Sequence, residues 1–375
     1  FSKVLFMKKN ILLVLFLLSL SAISVAQDTT DSASSAPWKK IYRSAAERIN
    51  NLVHTKLEAR FDYSKSQLNG KAWITVKPHF YPVDSLYLDA KGMDIHKVQL
   101  VQNEKYRNLI YAYDDLTLRI KLDKKYTQKE SYKVYVEYTA KPNEYKGQGS
   151  EAIKEAKGLY FINPLGEDKE KPTQIWTQGE TEGTSVWLPT IDRPNQKTTQ
   201  EMYLTVPEKY VSLSNGKLMS QKKNNDGTRT DYWKMDLPHA PYLFFIGIGD
   251  YAIIKDTYKG KEVSYYVEKE YKDVARKIFG HTPEMMKFFS EKLGIEYPWV
   301  KYAQITGRDY VSGAMENPTS TLHSDVAQQN ARELVDENRW ESVIAHELFH
   351  HWFGDLVTAE SWSNLTVNES FADYS

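Results

Sequence analysis

Alternating hydrophobic and polar positions dominate residues 53–250 of the chain. Hydrophobic residues occupy every second position at 57–61 and again at 72–76. A period of two predicts β-strands with one buried face. Similar runs recur at intervals of about ten residues, which is typical of an antiparallel sandwich or saddle. The Asn69-Gly70 dipeptide between the first two runs predicts a hairpin turn.

The spacing of hydrophobic residues changes after residue 263. Residues 271–293 carry apolar side chains at helical intervals, and residues 302–306 predict a strand. Farther along, Ile344, Leu348 and Trp352 form one apolar stripe of a predicted helix. The chain is therefore predicted to be multidomain, with an all-β N-terminal domain at 52–250 and an α+β domain at 251–375.

Composition narrows the possible chemistry of the 375-residue chain. Lys and Arg number 49, and Asp and Glu also number 49, so the formal net charge is zero. This balance argues against a nucleic-acid-binding protein or one that binds anionic membranes. The chain has no Cys. Disulfides, thiolate ligands and a Cys nucleophile are therefore excluded, and any metal must be held by His and carboxylate side chains.

The N-terminal segment predicts export. Residues 7–26 contain Lys8 and Lys9, a short apolar run, and Ala26 at the end of a small-x-small cleavage pattern. This order is that of a signal peptide, preceded here by residues 1–6. The alternative is a membrane anchor, but the apolar run is short for a membrane span. We expect a secreted or periplasmic protein whose residues 27–51 form a polar linker.

The sequence VIAHELFHHWFGD at residues 343–355 carries the clearest chemical pattern. His346 and His350 lie four residues apart, which is about one helical turn, so both imidazoles face one way. Such a pair can hold one Zn²⁺ ion, and Glu347 can act as general base on a water molecule. Glu369 in a second predicted helix would supply the third ligand if the chain turns back. The alternative is an ordinary helix with buried or solvated histidines.

A second motif lies about thirty residues upstream, at Gly313-Ala314-Met315-Glu316-Asn317. Its small residues allow a ligand to approach the backbone, and a strand edge there could pair with an extended peptide. Glu316 would then lie beside the end of that peptide, where a carboxylate can bind a free α-amino group. An ordinary surface turn is the alternative, since Asn-Pro is a turn dipeptide.

Together, GAMEN, HELFHHW and NESFA resemble the aminopeptidase N family of zinc exopeptidases. The resemblance implies a thermolysin-like catalytic domain with Zn²⁺ bound by two His and one Glu. It also implies that Glu180 joins Glu316 in binding the α-amine of the substrate and that Gln178 contacts the substrate backbone; a merely solvated Glu180 is the alternative. Family members continue beyond Ser375 with more helices and a catalytic Tyr, so the resemblance implies a truncated catalytic domain.

The resulting hypothesis is a zinc-dependent aminopeptidase that hydrolyses the N-terminal residue from peptides with a free N-terminus. One alternative is a thermolysin-like endopeptidase, and another is a leukotriene-hydrolase-like bifunctional enzyme. A third is an inactive or peptide-binding fragment, although the intact Glu347 argues against it. Asp355 is a further candidate, as a carboxylate that could orient a ligand His through its second ring nitrogen.

Overall fold

The computed structural model describes residue 45, residues 47–147, residue 153 and residues 155–375. The predicted signal segment at 7–26 and most of the predicted linker at 27–51 lie outside these residues, so both stay predictions. Within the described part of the chain, no helix is both long and apolar enough to cross a membrane.

Strands dominate residues 50–249, as the alternating pattern predicts. Their hydrophobic side chains alternate between buried and more exposed positions along each long strand. In chain order the strands are β1 (Asn50–Asp62), β2 (Gln67–Pro78), β3 (Val83–Asp89), β4 (Met93–Gln102), β5 (Lys105–Asn108), β6 (Ile110–Tyr113), β7 (Thr117–Tyr126), β8 (Tyr132–Ala140), β9 (Leu159–Ile162), β10 (Gln174–Thr177), β11 (Thr198–Pro207), β12 (Val211–Ser214), β13 (Lys217–Lys223), β14 (Thr228–His239) and β15 (Ile246–Gly249).

These strands form three sheets. The largest has eight strands in the order β13-β14-β11-β1-β2-β8-β4-β5, with β1 parallel to β11 and the other neighbours antiparallel. The others have the orders β12-β15-β10-β9 and β3-β7-β6. Buried side chains from all three sheets form one hydrophobic core. The predicted all-β N-terminal region is therefore confirmed, while its exact boundaries stay predictions.

The hairpin predicted between the first two runs is present, because β1 and β2 pair antiparallel, but the turn predicted at Asn69-Gly70 is wrong. The turn between β1 and β2 lies at residues 63–66, and Gly70 is an interior residue of β2. Gly70 pairs with Tyr138 on β8, and a Cβ atom added at Gly70 would lie 2.3 Å from the Tyr138 ring. The Tyr138 hydroxyl donates a hydrogen bond to the carbonyl oxygen of Trp187 at 2.8 Å. This glycine therefore serves close packing rather than a turn.

The second region is α+β, as predicted. Its elements are β16 (Tyr251–Tyr258), β17 (Lys261–Glu268), α1 (Ala275–Phe279), α2 (Thr282–Leu293), β18 (Lys301–Gly307), β19 (Ala314–Met315), β20 (Ser320–Ser324), α3 (Glu341–Phe349) and α4 (Thr366–Tyr374). Short 3₁₀ segments occur in both regions. In the β region they are Thr184–Val186 and Pro241–Leu243, and in the α+β region they are Lys269–Tyr271, Asp325–Ala327, Glu333–Val335 and Trp362–Asn364. The strands form one mixed sheet in the order β16-β17-β18-β20-β19.

This five-stranded sheet contributes to two hydrophobic cores. Ile305 and Leu322 belong to the core of the β region, whereas Val263 on β17 belongs to a second core with the helices. The predicted apolar stripe of α3 is confirmed, because Ile344 and Leu348 are fully buried in this second core. Burying the stripe leaves the histidine side of α3 facing a cleft.

A buried histidine joins the sheet to the start of α3. His323 on β20 accepts a hydrogen bond at Nδ1 from Trp340 Nε1 at 3.1 Å, and its Nε2 donates to Gln304 Oε1 at 2.9 Å. The neutral imidazole uses both of its nitrogens in this arrangement. Burial lowers the pKa of His323 to about 3, so the ring stays uncharged in the folded protein at neutral pH.

When the pH falls from 7 to 5, we expect the free energy of unfolding to decrease by about 2 kcal/mol because of the titration of His323 alone. In the unfolded chain histidine gains a proton near pH 6.5, whereas folded His323 resists protonation until about pH 3. Its contribution is therefore complete above about pH 6.5 and falls as the pH falls toward 3. Urea unfolding at both pH values would measure this loss. In His323→Gln, whose amide does not titrate, the loss should be about 2 kcal/mol smaller; equal losses would contradict the prediction.

Candidate metal centre

Three side chains from two helices meet at one point. His346 lies in α3, and His350 follows the last helical residue as its C-cap, still with helical φ and ψ angles of −54° and −24°. Their Nε2 atoms lie 3.0 Å apart. Glu369 of α4 places Oε2 at 3.6 Å from His346 Nε2 and at 3.7 Å from His350 Nε2. The structure thus brings together the three predicted metal ligands.

The geometry of these atoms fits a zinc ion. Ligand atoms at about 2.0–2.2 Å from a tetrahedral Zn²⁺ lie about 3.3 Å from one another, which is close to the separations found here. Zinc also requires neutral imidazoles, and burial lowers the pKa of His350 to about 4. The other ring nitrogen of His350, Nδ1, donates to the carbonyl oxygen of Phe353 at 3.0 Å, which leaves Nε2 free to bind metal. The predicted cofactor, one Zn²⁺ ion, therefore suits this site.

Glu369 is suited to bind a cation. Partial burial opposes ionisation of its carboxyl group, but the proximity of His346 and His350 outweighs burial and lowers the pKa of Glu369. The side chain is therefore an anionic ligand at neutral pH.

Glu347 lies beside this cluster in a different electrostatic environment. Its side chain is buried, and Oε2 has no hydrogen-bond partner among the described residues. Burial, followed by the charges of Glu316, Glu369 and Glu180, raises its pKa well above the ordinary value for a glutamate. Glu347 also forms a second possible metal-binding group with Glu316 and His350. A buried carboxylate without a partner is expected to accept a proton or bind a cation.

These residues line a cleft of about 660 Å³. The lining includes five carboxylates, and none of the described residues that line it is Lys or Arg. The five acidic residues are Glu180, Glu316, Glu347, Glu369 and Asp373. Since no Lys or Arg of the lining pairs with these carboxyl groups, the cleft favours ligands that carry positive charge. A divalent metal and an ammonium group would together supply it.

The GAMEN residues lie on one wall of the cleft. β19, formed by Ala314 and Met315, is the outermost strand of the five-stranded sheet, as the predicted strand edge requires. Gly313, Ala314 and Glu316 line the cleft, and a Cβ atom added at Gly313 would meet no atom within 4 Å. Met315 and Asn317 are buried behind this wall. The backbone of β19 is therefore accessible to an extended ligand.

The segment after β10 carries Glu180 into the same cleft. Glu180 is half-buried there, and burial together with the charges of Glu316 and Glu369 raises its pKa above the usual range. Gln178 is buried and does not line the cleft; its Oε1 accepts a hydrogen bond from the Tyr310 hydroxyl, and its Nε2 donates to Met315 Sδ at 3.1 Å. The structure thus brings Glu180 to the metal cluster but keeps Gln178 behind the wall. Their roles in substrate binding stay predictions.

One residue of the site has no sequence motif that would have revealed it. Tyr242, fully buried and followed closely by β15, donates a hydrogen bond from its hydroxyl to Glu316 Oε1 at 3.1 Å. The same hydroxyl accepts one from Asn368 Nδ2 of α4 at 3.1 Å. Tyr242 therefore holds Glu316 in place and links the β region to the helix that carries Glu369.

The suggested role of Asp355 is wrong. Asp355 is fully buried and lies 3.7 Å from His351 Nδ1, whereas the carbonyl oxygen of Phe353 orients the ligand His350. His351 stacks on Tyr297, with ring centroids 5.6 Å apart, so it contributes to packing. The loop between His350 and Asp355 turns the carboxylate toward the neighbouring histidine.

Two family models match the chain. The Peptidase M1 N-terminal domain matches residues 51–243, and the Peptidase family M1 domain matches residues 278–375. Human glutamyl aminopeptidase is 32% identical over 220 residues, covering 57% of this chain and 23% of the relative. Aminopeptidase M1 of Arabidopsis thaliana is 31% identical over 219 residues, covering 57% of this chain and 25% of the relative. The chain thus spans about a quarter of the length of these relatives.

Solved structures share the same fold. An M1 zinc metallopeptidase from Deinococcus radiodurans has a TM-score of 0.73 at 21% identity, covering 89% of this chain and 71% of that one. A two-domain M1 zinc metallopeptidase bound to L-arginine has a TM-score of 0.72 at 20% identity, with coverage of 89% and 71%. The predicted fold, an all-β region followed by an α+β region of this type, is therefore confirmed.

Proposed function

This chain belongs to the M1 family of peptidases, and from that membership we propose that the whole protein is a zinc-dependent aminopeptidase. One observation carries the proposal: the histidine pair and Glu347 share one cleft with the carboxylates of Glu180 and Glu316. This cleft lies beside the open edge of β19. Zinc would be held by His346, His350 and Glu369. When bound, zinc supplies Lewis-acid polarisation of a carbonyl group and makes a water molecule more acidic.

Glu347 is the proposed general base. Its Oε2 atom lacks a hydrogen-bond partner among the described residues, so it is available to a water molecule in the cleft. Glu347 would take a proton from the attacking water and later deliver it to the leaving amine. Burial raises the pKa of Glu347, which strengthens it as a base toward the attacking water.

Glu180 and Glu316 are proposed to select a free N-terminus. Both line the cleft, and unpaired negative charge there is costly. A substrate ammonium group would neutralise it, whereas a blocked or internal peptide would leave it uncompensated. β19 would meanwhile pair with the backbone of the substrate, which requires no particular side chain. We therefore favour an exopeptidase over a thermolysin-like endopeptidase.

A panel of aminoacyl reporter substrates and their N-acetylated counterparts, each with and without a zinc chelator, tests this proposal. We expect chelator-sensitive cleavage of the free-amine set and at least a hundredfold slower cleavage of the acetylated set, which is about 2.7 kcal/mol. The panel also ranks the preference for the first residue. Equal cleavage of both sets would instead identify an endopeptidase, and cleavage that survives the chelator would exclude a metallopeptidase.

Export of the protein is also part of the proposal. It is supported by the charged start, short apolar run and small-x-small pattern of residues 7–26. The mass of the mature protein tests it, since cleavage after Ala26 would leave Gln27 as the first residue. Retention of residues 7–26 on the mature protein would overturn the signal-peptide assignment.

A further inference from the structure

One carboxylate of the cleft has no role in the chemistry described so far. Asp373 lies four residues after Glu369 in α4, so both side chains project from the same side of that helix. Asp373 Oδ1 is 3.1 Å from His346 Nδ1, whereas Glu369 Oε2 faces the Nε2 atom of the same ring. Two carboxylates, one helical turn apart, thus approach the two nitrogen atoms of a single imidazole.

We propose that Asp373 is a positioning residue that orients His346 for metal binding, an inference that rests on the proposed function. With Asp373 Oδ1 3.1 Å from Nδ1, the carboxylate favours the tautomer that carries its proton on Nδ1, which leaves the Nε2 lone pair directed at the metal. The ring can then neither rotate its Nδ1 atom into the site nor carry its only proton on Nε2.

The two ligand histidines differ in how much support they need. The His350 side chain is only 2% exposed, and the backbone carbonyl of Phe353 fixes its Nδ1–H group. The His346 side chain is 24% exposed. Asp373 is the carboxylate that faces Nδ1 of His346, the nitrogen directed away from the metal ligands. It therefore orients the His346 ring as the carbonyl oxygen of Phe353 orients the His350 ring.

The exposure of Asp373 limits the size of the effect. Loss of a hydrogen-bond partner behind a metal ligand typically weakens metal binding by about 10- to 100-fold. The Asp373 side chain is 76% exposed, and water screens its charge and can partly replace its hydrogen bond. We therefore expect about tenfold weaker zinc binding without it, at the lower end of this range.

Competition with a chromophoric chelator, which measures the zinc dissociation constant directly, tests the inference in Asp373→Ala and Asp373→Asn. Asp373→Ala should weaken zinc binding about tenfold. Asp373→Asn should recover part of this loss, because its amide oxygen still accepts from Nδ1–H. The melting temperature of the zinc-free protein should stay unchanged in both, since an exposed side chain contributes little to folding. A structural role would instead lower that temperature.

Glu341→Gln is a matched control. Glu341 on α3 is also a carboxylate paired with a histidine, His281, at 2.5 Å, but it lies outside the cleft lining. Zinc affinity should be unaffected in this variant. Zinc binding by Asp373→Ala that equals wild type, or an equal loss in Glu341→Gln, would overturn the inference. Failure of the proposed zinc site would look different, because the wild-type protein itself would then bind no zinc, and failure of the aminopeptidase proposal alone would show in the reporter panel and leave zinc binding intact.

Discussion

Glu347→Gln is expected to lower kcat for cleavage of an aminoacyl reporter about a thousandfold, with little change in zinc content. General acid–base catalysis typically contributes about 10²- to 10⁴-fold to the rate, and this carboxylate would serve twice in one turnover. Glutamine keeps the size of the side chain but cannot accept the proton from water. The measurement is kcat for the variant, together with bound zinc per chain by elemental analysis.

The zinc content of this variant also separates two possible metal sites. Glu347 belongs to a second ligand group with Glu316 and His350, so a metal bound there would be lost in Glu347→Gln. A metal held by His346, His350 and Glu369 would be retained. Loss of zinc would contradict the assignment of Glu347 as base, and so would activity within tenfold of wild type. Glu341→Gln provides the control for a carboxylate change on the same helix, and its kcat should match wild type.

Glu316→Gln is expected to lower kcat/KM on free-amine substrates by about 10- to 150-fold, since a hydrogen bond to a charged group contributes about 1.5–3 kcal/mol. Glutamine still accepts the hydrogen bond from Tyr242, so the wall of the cleft should keep its shape while losing one charge. Glu316→Ala removes both and should be at least as severe. The measurement is kcat/KM for matched free and acetylated reporters.

The decisive quantity is the ratio of kcat/KM between these two substrate classes. If Glu316 binds the α-ammonium group, the variant loses activity only on the free-amine class, so the ratio moves toward one. A Tyr242→Phe variant is the control for geometry, because it removes the hydroxyl that holds Glu316 and leaves the carboxylate charge. An unchanged rate in Glu316→Gln and Glu316→Ala would contradict the exopeptidase interpretation. An equal loss on both substrate classes would indicate that Glu316 supports the fold of the cleft.

Much of the site could be predicted from the sequence because chain geometry fixes it locally. Residues four apart share a helical face, so His346 and His350 had to point the same way once α3 formed. The buried stripe of Ile344 and Leu348 then decided which face of α3 met the cleft. Periodicity likewise predicted the β region, since burial alternates along its long strands.

Contacts between distant parts of the chain account for what the sequence did not reveal. Gly70 carries a turn signal, but the Tyr138 ring across the sheet requires a glycine there. Tyr242 lies 74 residues from Glu316 in the chain, and no spacing rule connects them. Asp373 had a detectable signal, since it follows Glu369 by one helical turn, but its partner on another helix appears only in the fold.

The hydrogen bonds of Tyr242 limit how far the two matched segments of this chain could be exchanged independently. Tyr242 and Glu180 both lie within residues 51–243, the segment matched by the N-terminal domain model, yet both reach the cleft of the catalytic segment. A recombination point between the two segments would separate Glu316 from the hydroxyl that holds it. The two segments therefore have to be inherited together if Glu316 is to keep this hydrogen bond, and the five-stranded sheet that contributes to both hydrophobic cores ties them further.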